Sequence, residues 1–309
     1  MKVLVWHVHG SWTTAFVQGR HDYVVPVLPD RGVDGLGRAR TWTWPASVRE
    51  VSPERLADEA FDVVVVQRHH ELELAESWLR RRPGRDIPTV FIEHNAPQGR
   101  IADMRHPVAD RNDVVLVHVT HFNRLLWDCG TTRTVVIEHG VVDPGERYTG
   151  ELDSAAVVVN EPLRRGRVTG TDLLPFFASC VPLQVYGMQT DALAGIDVPQ
   201  GELHDAMARH RVYLHPIRWT SLGLSLVEAM HLGMPIVALA TTEVPSAVPA
   251  DAGVVSNDLD ELARELPALM NEPERCSLMG KAAREHAIAR FGLQRFLTDW
   301  DRILAETAS

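Results

Sequence analysis

The chain has 309 residues, 45% of them hydrophobic and 23% charged, with a formal net charge of −10. That composition excludes a mainly disordered chain, and the acidic balance argues against a long nucleic-acid polymer as partner, because neutralising phosphates needs a basic surface. No apolar run approaches the ~20 residues of a membrane-spanning helix, and the stretch before His7 is shorter than a ~7–15-residue signal-peptide core, so a cytoplasmic protein is expected.

Short β-branched runs recur along the first half: 2–6, 23–28, 61–67, 87–94, 113–119 and 133–139. Continuous Val/Ile runs without alternation suit strands buried on both faces, as in parallel sheets. Helices are expected at 71–82 and at 121–128, the second with Thr120 as N-cap and Gly130 as stop. Residues 29–50, rich in Gly, Pro and Trp, read as a long loop of the kind that often serves as a lid. The second half repeats the scheme. Strands are expected at 154–160, 182–187, 211–216, 235–241 and 252–256, and helices at 171–179, 203–209, 224–232, 259–271, 275–290 and 293–306.

Strands alternating with helices give βα units and a doubly wound parallel sheet. Twice over, this predicts an α/β protein of two Rossmann-like domains. The Pro-, Gly- and charge-rich stretch 141–153 is the expected boundary. The resulting division is 1–145, 146–290 and a closing helix at 291–309. Ligands bind at the carboxyl ends of such sheets, so a small-molecule site shared by the two domains is expected.

Several side chains have bland readings. Cys129, Cys180 and Cys276 are odd in number and far apart, which suits buried free thiols rather than a disulfide framework. The pairs His7/His9, His69/His70 and His118/His121 have no Cys or carboxylate spacing that completes a tetrahedral set, so no metal is expected. Arg80, Arg81 and Arg82 read as cations closing a helix, with attraction to anionic lipid as a weaker alternative. Lys2 and Lys281 are the only lysines. Any anion clamp therefore falls to Arg, whose guanidinium holds phosphate with a bidentate fork.

The most informative stretch is 210–248, HRVYLHPIRWTSLGLSLVEAMHLGMPIVALATTEVPSAV. It reads strand, loop, helix, Gly stop, strand, loop. Gly223 lies where the loop meets the helix, a place where a ligand can approach the backbone and first-turn N–H groups can hold an anion. Glu228 follows about one turn on, among Leu224, Leu226, Val227, Met230 and Leu232. The residues alone leave two readings of Glu228: a carboxylate that binds sugar hydroxyls, or one on the helix's exposed stripe.

This stretch resembles the nucleotide-sugar motif of family 4 retaining glycosyltransferases, which have the GT-B fold of two Rossmann-like domains. The match runs through Gly223, Leu224, Glu228, Ala229, Met230, Gly233, Pro235, Val237 and Ala238, then Pro245 and Val248. It continues at His94 in IPTVFIEHN, at Thr120, at Gly140 and Asp143 in TVVIEHGVVDP, and in GTDLL at 170–174. AGVVSNDLDELA and ARFGLQRFLTDWDRIL are similar to later segments of the family.

The resemblance implies roles. Glu228 would bind the donor ribose, and the turn at Ser221, Gly223 and Leu224 would hold its phosphate and sugar. His94 would reach the donor sugar from the first domain, and Gly10 with Ser11 would form the glycine loop under donor and acceptor. The sequence departs from the family where Thr220 replaces the first Glu, Thr169 the Lys and Ser246 the Glu after Ile-Pro, with Glu243 as a weak substitute. Arg164, Arg165, Arg167 and Arg218 are candidate replacements for the diphosphate clamp.

The function implied is transfer of a sugar, with retention, from a UDP- or GDP-type donor to a small-molecule, lipid-linked or glycan acceptor, without metal or bound cofactor. The alternatives are a non-catalytic nucleotide-binding or regulatory subunit of the same fold, and a nucleotide-sugar epimerase of the same architecture.

Overall fold

A computed structural model describes residues 1–309. The chain divides into two compact units, one of residues 1–142 with 293–309 and one of residues 143–292.

In unit 1, β1 (Lys2–Val5), β2 (Asp22–Pro26), β3 (Val48–Val51), β4 (Val63–Val66), β5 (Thr89–Glu93), β6 (Val115–His118) and β7 (Thr134–Val136) form one sheet. Its order is β3-β2-β1-β4-β5-β6-β7, with every pairing parallel. The four valines of β4 are all fully buried, which explains their lack of alternation: both faces of the strand are covered. One face packs Leu4, Trp6, Val64, Val66, Phe91 and Leu116 into a core with Leu56, Leu72 and Leu79. These come from α2 (Pro53–Leu56) and α3 (Glu71–Leu79), which follow α1 (Gly10–Phe16) and precede α4 (His121–Leu126).

In unit 2, β8 (Leu152–Val158), β9 (Leu183–Tyr186), β10 (His210–His215), β11 (Ile236–Leu239) and β12 (Gly253–Ser256) form a parallel sheet in the order β12-β11-β10-β8-β9. Around it lie α5 (Pro162–Arg165), α6 (Leu174–Ala178), α7 (Gln200–Ala208), α8 (Leu224–Leu232), α9 (Val244–Ala247), α10 (Leu259–Met270) and α11 (Pro273–Phe291). Helix α11 approaches the end of α8 so closely that a Cβ on Gly280 would sit 1.9 Å from the Gly233 carbonyl oxygen.

The last helix, α12 (Leu293–Ala308), returns to unit 1. Its Trp300 and Phe296 pack edge-on against Trp12, with ring centroids 5.7 and 6.2 Å away. Gly140 lies under this crossing, since a Cβ there would meet Phe296 Cβ at 2.2 Å. No helix is long and apolar enough to cross a membrane.

Four local expectations are corrected. Residues 29–50 hold the start of an edge strand, β3, whose exposed Arg49 and Glu50 hid its pattern. The rest is tied down by Arg38, which donates to the carbonyls of Trp44, Pro45 and Val48. Residues 171–179 split into a 3₁₀ turn at Thr171–Leu173 and α6. Helix α4 has its Thr120 cap, with Thr120 Oγ1 accepting from Asn123 N at 3.0 Å, but ends at Leu126 because Trp127 is extended; Gly130 plays no part. Helix α3 stops at Leu79 in a left-handed Arg80, so Arg82 lies beyond it and pairs with Asp86 instead.

Candidate active site

Both sheets reverse their strand order next to their first strand, between β1 and β4 in unit 1 and between β8 and β10 in unit 2. In open parallel sheets the carboxyl end of that switch point is where ligands bind. The site residues expected from sequence gather at these two ends.

At the unit 1 end, His94 follows β5 directly. Its Nε2 lies 2.9 Å from Gln67 Oε1. The His9 ring is 4.2 Å away between centroids, the His139 ring 6.4 Å away in a stacked arrangement, and Trp12 meets His94 edge-on at 5.1 Å. Burial pushes the His94 pKa well down, and the neighbouring His9 and His139 add to this. The same cause lowers His9 to about 4 and His139 to about 3. The cluster is therefore a set of neutral imidazoles at pH 7. Gly10 and Ser11 begin α1 immediately below it. Gly10 is a helix start with the Trp42 indole against it, 3.1 Å from the place of a Cβ.

At the unit 2 end, two loops interlock. The amides of Arg218 and Trp219 both donate to the Val168 carbonyl, at 2.9 and 3.2 Å. Gly170, at φ +72°, passes over β10 so tightly that a Cβ would lie 2.0 Å from the Pro216 oxygen. Three of the four candidate arginines are paired here. Arg164 Nε donates to Glu161 Oε1 at 2.9 Å. Arg167 and Arg218 share Asp172, with Nη1–Oδ2 at 2.7 Å and Nη2–Oδ2 at 3.0 Å. Arg165 is half-buried and has no carboxylate within ion-pair distance, and its burial lowers its pKa. Thr169, in the Lys position, is 1% exposed and donates to the Gly166 carbonyl at 3.1 Å. It builds the turn and does not point a charge outward.

Gly223 is the N-cap of α8 and Leu224 its first residue. Its lack of a side chain has a local cause: a Cβ would meet His215 Cε1 at 2.7 Å. His215 is fully buried, and its pKa is lowered to about 3 by that burial. Ser221 is buried and Thr220 half-buried just before the cap. Glu228 sits in the second turn of α8 and is 5% exposed, so it is not on an exposed stripe. His204 Nε2 from α7 lies 3.4 Å from its Oε2. Ser246 is held by Arg290, which donates to its hydroxyl at 3.1 Å and also approaches Glu243 at 3.5 Å.

Sequence reasoning missed Gln67, His139, His204 and His215, and weighed His9 only as part of the His7/His9 pair. Gln67 had a signal, since it ends the valine run at the switch point. His204 had none, because its partner Glu228 is 24 residues away. The histidine pairs do not converge: His118 is buried beside Cys129, 3.5 Å from its Sγ, while His121 is exposed. The three cysteines are free, with Cys180 only half-buried.

Residues 192–286 match the family described as glycosyl transferases group 1. Over 90 residues the chain is 34% identical to the sulfoquinovosyl transferase SQD2 of Arabidopsis thaliana, covering 27% of this chain and 18% of that protein. Over 112 residues it is 30% identical to the O-antigen chain mannosyltransferase B of Escherichia coli, covering 36% and 27% respectively. The matched stretch therefore spans well under a third of these relatives' length. Among solved structures, sucrose-phosphate synthase from Thermosynechococcus elongatus aligns over 99% of this chain and 98% of its own, with a TM-score of 0.71 at 13% identity. HepE of Anabaena, solved in complex with UDP and glucose, aligns over 99% and 100% with a TM-score of 0.67 at 14% identity. The fold is GT-B, and the family match supports the likeness to family 4 glycosyltransferases carried by the motifs.

Proposed function

We propose that the chain is a glycosyltransferase that moves a sugar, with retention and without a metal, from a nucleoside-diphosphate donor of UDP or GDP type to a small-molecule, lipid-linked or glycan acceptor. The observation that carries this reading is Glu228. It is a carboxylate only 5% exposed, held beside His204 Nε2 at 3.4 Å, and in this reading it accepts from the vicinal hydroxyls of the donor ribose. It lies in the second turn after Gly223 and Leu224, inside the stretch that matches the group 1 family.

In this reading the first turn of α8, with Ser221, Gly223 and Leu224 at its start, receives the phosphates, where free N–H groups favour an anion. Arg165 supplies the countercharge, because it alone of the four arginines lacks a carboxylate partner. Arg167 and Arg218 line the same loop pair. The leaving diphosphate takes the acceptor's proton on the face it departs from, so no protein base is required. The protein orients the reactants and stabilises charge on the leaving group. His94 meets the donor sugar as a neutral imidazole.

Calorimetry with UDP, GDP and their sugars tests this. One of them is expected to bind, and Glu228→Ala should weaken that binding by about 10- to 100-fold, the worth of hydrogen bonds to a charged group. No heat with any nucleotide, together with no hydrolysis of any nucleotide sugar, defeats the reading. The second reading, a nucleotide-binding subunit without catalysis, is favoured by Thr220 in place of the first Glu and by the buried Thr169. Nucleotide binding without turnover on any acceptor would select it.

A further inference from the structure

Gly223 caps α8 with a φ of −69°, a backbone that any residue adopts, so conformation does not require a glycine there. The obstacle to a side chain is space. The His215 ring fills the place, with Cε1 at 2.7 Å and Nε2 at 3.3 Å from where a Cβ would stand. The ring is fully buried and cannot swing into solvent to make room. It is also held from behind. Its Nδ1 lies 3.4 Å from the Tyr213 hydroxyl, which donates to Ser225 Oγ at 2.9 Å. Because that hydroxyl gives its hydrogen to Ser225, it meets His215 as an acceptor, and the imidazole proton sits on Nδ1. Tyr213 and His215 are two residues apart on β10 and share a face of the strand. Through them β10 touches α8 twice, at its cap and at Ser225 in its first turn.

These contacts bear on the first-turn amides. Leu226 and Val227 bond back to the Gly223 carbonyl at 3.1 and 3.4 Å. The amides of Leu224 and Ser225 precede those bonds and are the orphan donors of a helix start, with no side chain at the cap to accept from them. Where they point follows from where Gly223 sits, and Gly223 rests on the His215 ring. Burial lowers the His215 pKa to about 3, so the ring is neutral and acts by its shape.

We propose that His215, held by Tyr213, is a positioning residue that aims the Leu224 and Ser225 amides at the diphosphate, and that residue 223 is glycine because of this ring and not because of the ligand. The aim rests on the phosphate-binding role given above to the first turn of α8. The coupling between positions 215 and 223 stands without it.

A double-mutant cycle tests both parts. Gly223→Ala should weaken UDP or GDP binding by about tenfold in calorimetry, because the cap must move off the ring. In the His215→Ala background the same substitution should change affinity by less than about twofold. A tenfold loss in both backgrounds means that the ligand excludes the side chain, and overturns the proposal. His215→Ala alone should weaken UDP, GDP and inorganic pyrophosphate alike, by about three- to tenfold, and leave uridine and guanosine unchanged. A loss shared by the nucleosides is that of a general structural defect and overturns positioning, as does no loss at all. Should His215→Ala fail to fold, Tyr213→Phe releases the ring without opening a large cavity. It should weaken diphosphate binding about threefold with nucleoside binding unmoved, and unchanged diphosphate affinity overturns the proposal. The coupling also has a readout without ligand. Gly223→Ala should lower the melting temperature by about 4 °C or more in the wild-type background, and by less than half as much beside His215→Ala. Equal falls overturn the coupling. No nucleotide binding by the wild type defeats the glycosyltransferase reading and with it the aim of the amides, while the melting temperatures still decide the coupling. Nucleotide binding intact with equal falls defeats only the role of His215.

Discussion

The two carboxyl ends are built from the same kind of sheet but differ in charge. At the unit 1 end, His9, His94 and His139 lie together as neutral rings, His9 tilted against His94 and His139 stacked with it, and Gln67 is the polar anchor of His94. At the unit 2 end, Arg164, Arg167 and Arg218 are drawn into pairs with Glu161 and Asp172, and Arg165 stands beside them. A neutral imidazole cluster suits contact with hydroxyls. An arginine-rich loop suits a diphosphate. The fold supplies a switch point twice, and the residues placed there decide what each can hold.

The contrast is sharpest under acid. Burial lowers the pKa values of His7, His9, His21, His94, His118 and His139 in unit 1, against those of His210, His215 and His231 in unit 2. Above about pH 6.5 neither the folded nor the unfolded state protonates these rings, and their contribution is constant. As pH falls below that value, the unfolded chain takes protons that the folded unit refuses. Stability is then lost at up to about 1.4 kcal/mol per pH unit for each such ring, until the folded pKa is reached. Only Glu71, raised by its burial, runs the other way in unit 1. Between pH 6.5 and 5, unit 1 should therefore lose more stability than unit 2. All tryptophans except Trp219 lie in unit 1, so the urea midpoint by tryptophan fluorescence follows unit 1, and amide exchange by mass spectrometry follows both. Equal losses in the two units would break the comparison.

A steric test targets unit 2. Gly170→Ala forces a side chain into a left-handed conformation and against the Pro216 backbone oxygen. A backbone oxygen cannot swing aside as a side chain can. About 3 kcal/mol of destabilisation is expected, or a drop of about 6–12 °C in melting temperature. A drop of less than about 2 °C would mean the two loops are not interlocked as described. Arg165→Gln should be nearly silent in stability but weaken nucleoside-diphosphate binding by about tenfold, the cost of one charge-assisted contact. Unchanged affinity by calorimetry would remove Arg165 from the clamp.

Legibility in the sequence followed burial. The valine runs of β4 and β5 were readable because both faces of a central parallel strand are covered, and α8 was readable because its apolar run ends at Gly233, in a left-handed cap. Strand β3 was hidden, since an edge strand carries its own charges. Helix α1 was hidden because GSWTTAF has poor helix formers, and burial of Trp12, Ala15 and Phe16 overrides their propensity. The places of Gly223 at the start of α8 and of Glu228 in its second turn were legible through motif spacing. The reason for Gly223 was not, because His215 lies on the preceding strand and only the fold brings it under the helix start. Gln67 and His94 are 27 residues apart and meet only because β4 and β5 are neighbours.

The smallest effect expected is at Asp172, and it separates two uses of the same carboxylate. Asp172 receives both Arg167 and Arg218 on the surface of unit 2. Surface pairs of this kind contribute about 0–1 kcal/mol each, so Asp172→Asn should cost little stability. Its effect on ligand binding depends on what the pair is for. If Asp172 merely neutralises the arginines when no anion is present, it competes with the diphosphate. Removing its charge then frees two guanidinium groups, and affinity for a nucleoside diphosphate should rise by about two- to fivefold, with a steeper fall on adding salt. If Asp172 holds the guanidinium groups in place, affinity should fall instead. Two further bonds favour competition: Arg218 is also anchored by its backbone amide to Val168 and by Nη1 to the Arg167 carbonyl at 3.0 Å. That anchoring persists without the carboxylate, so Arg218 keeps its place when Asp172 is neutral. Calorimetric titration of the variant with UDP and GDP at two salt concentrations gives the sign.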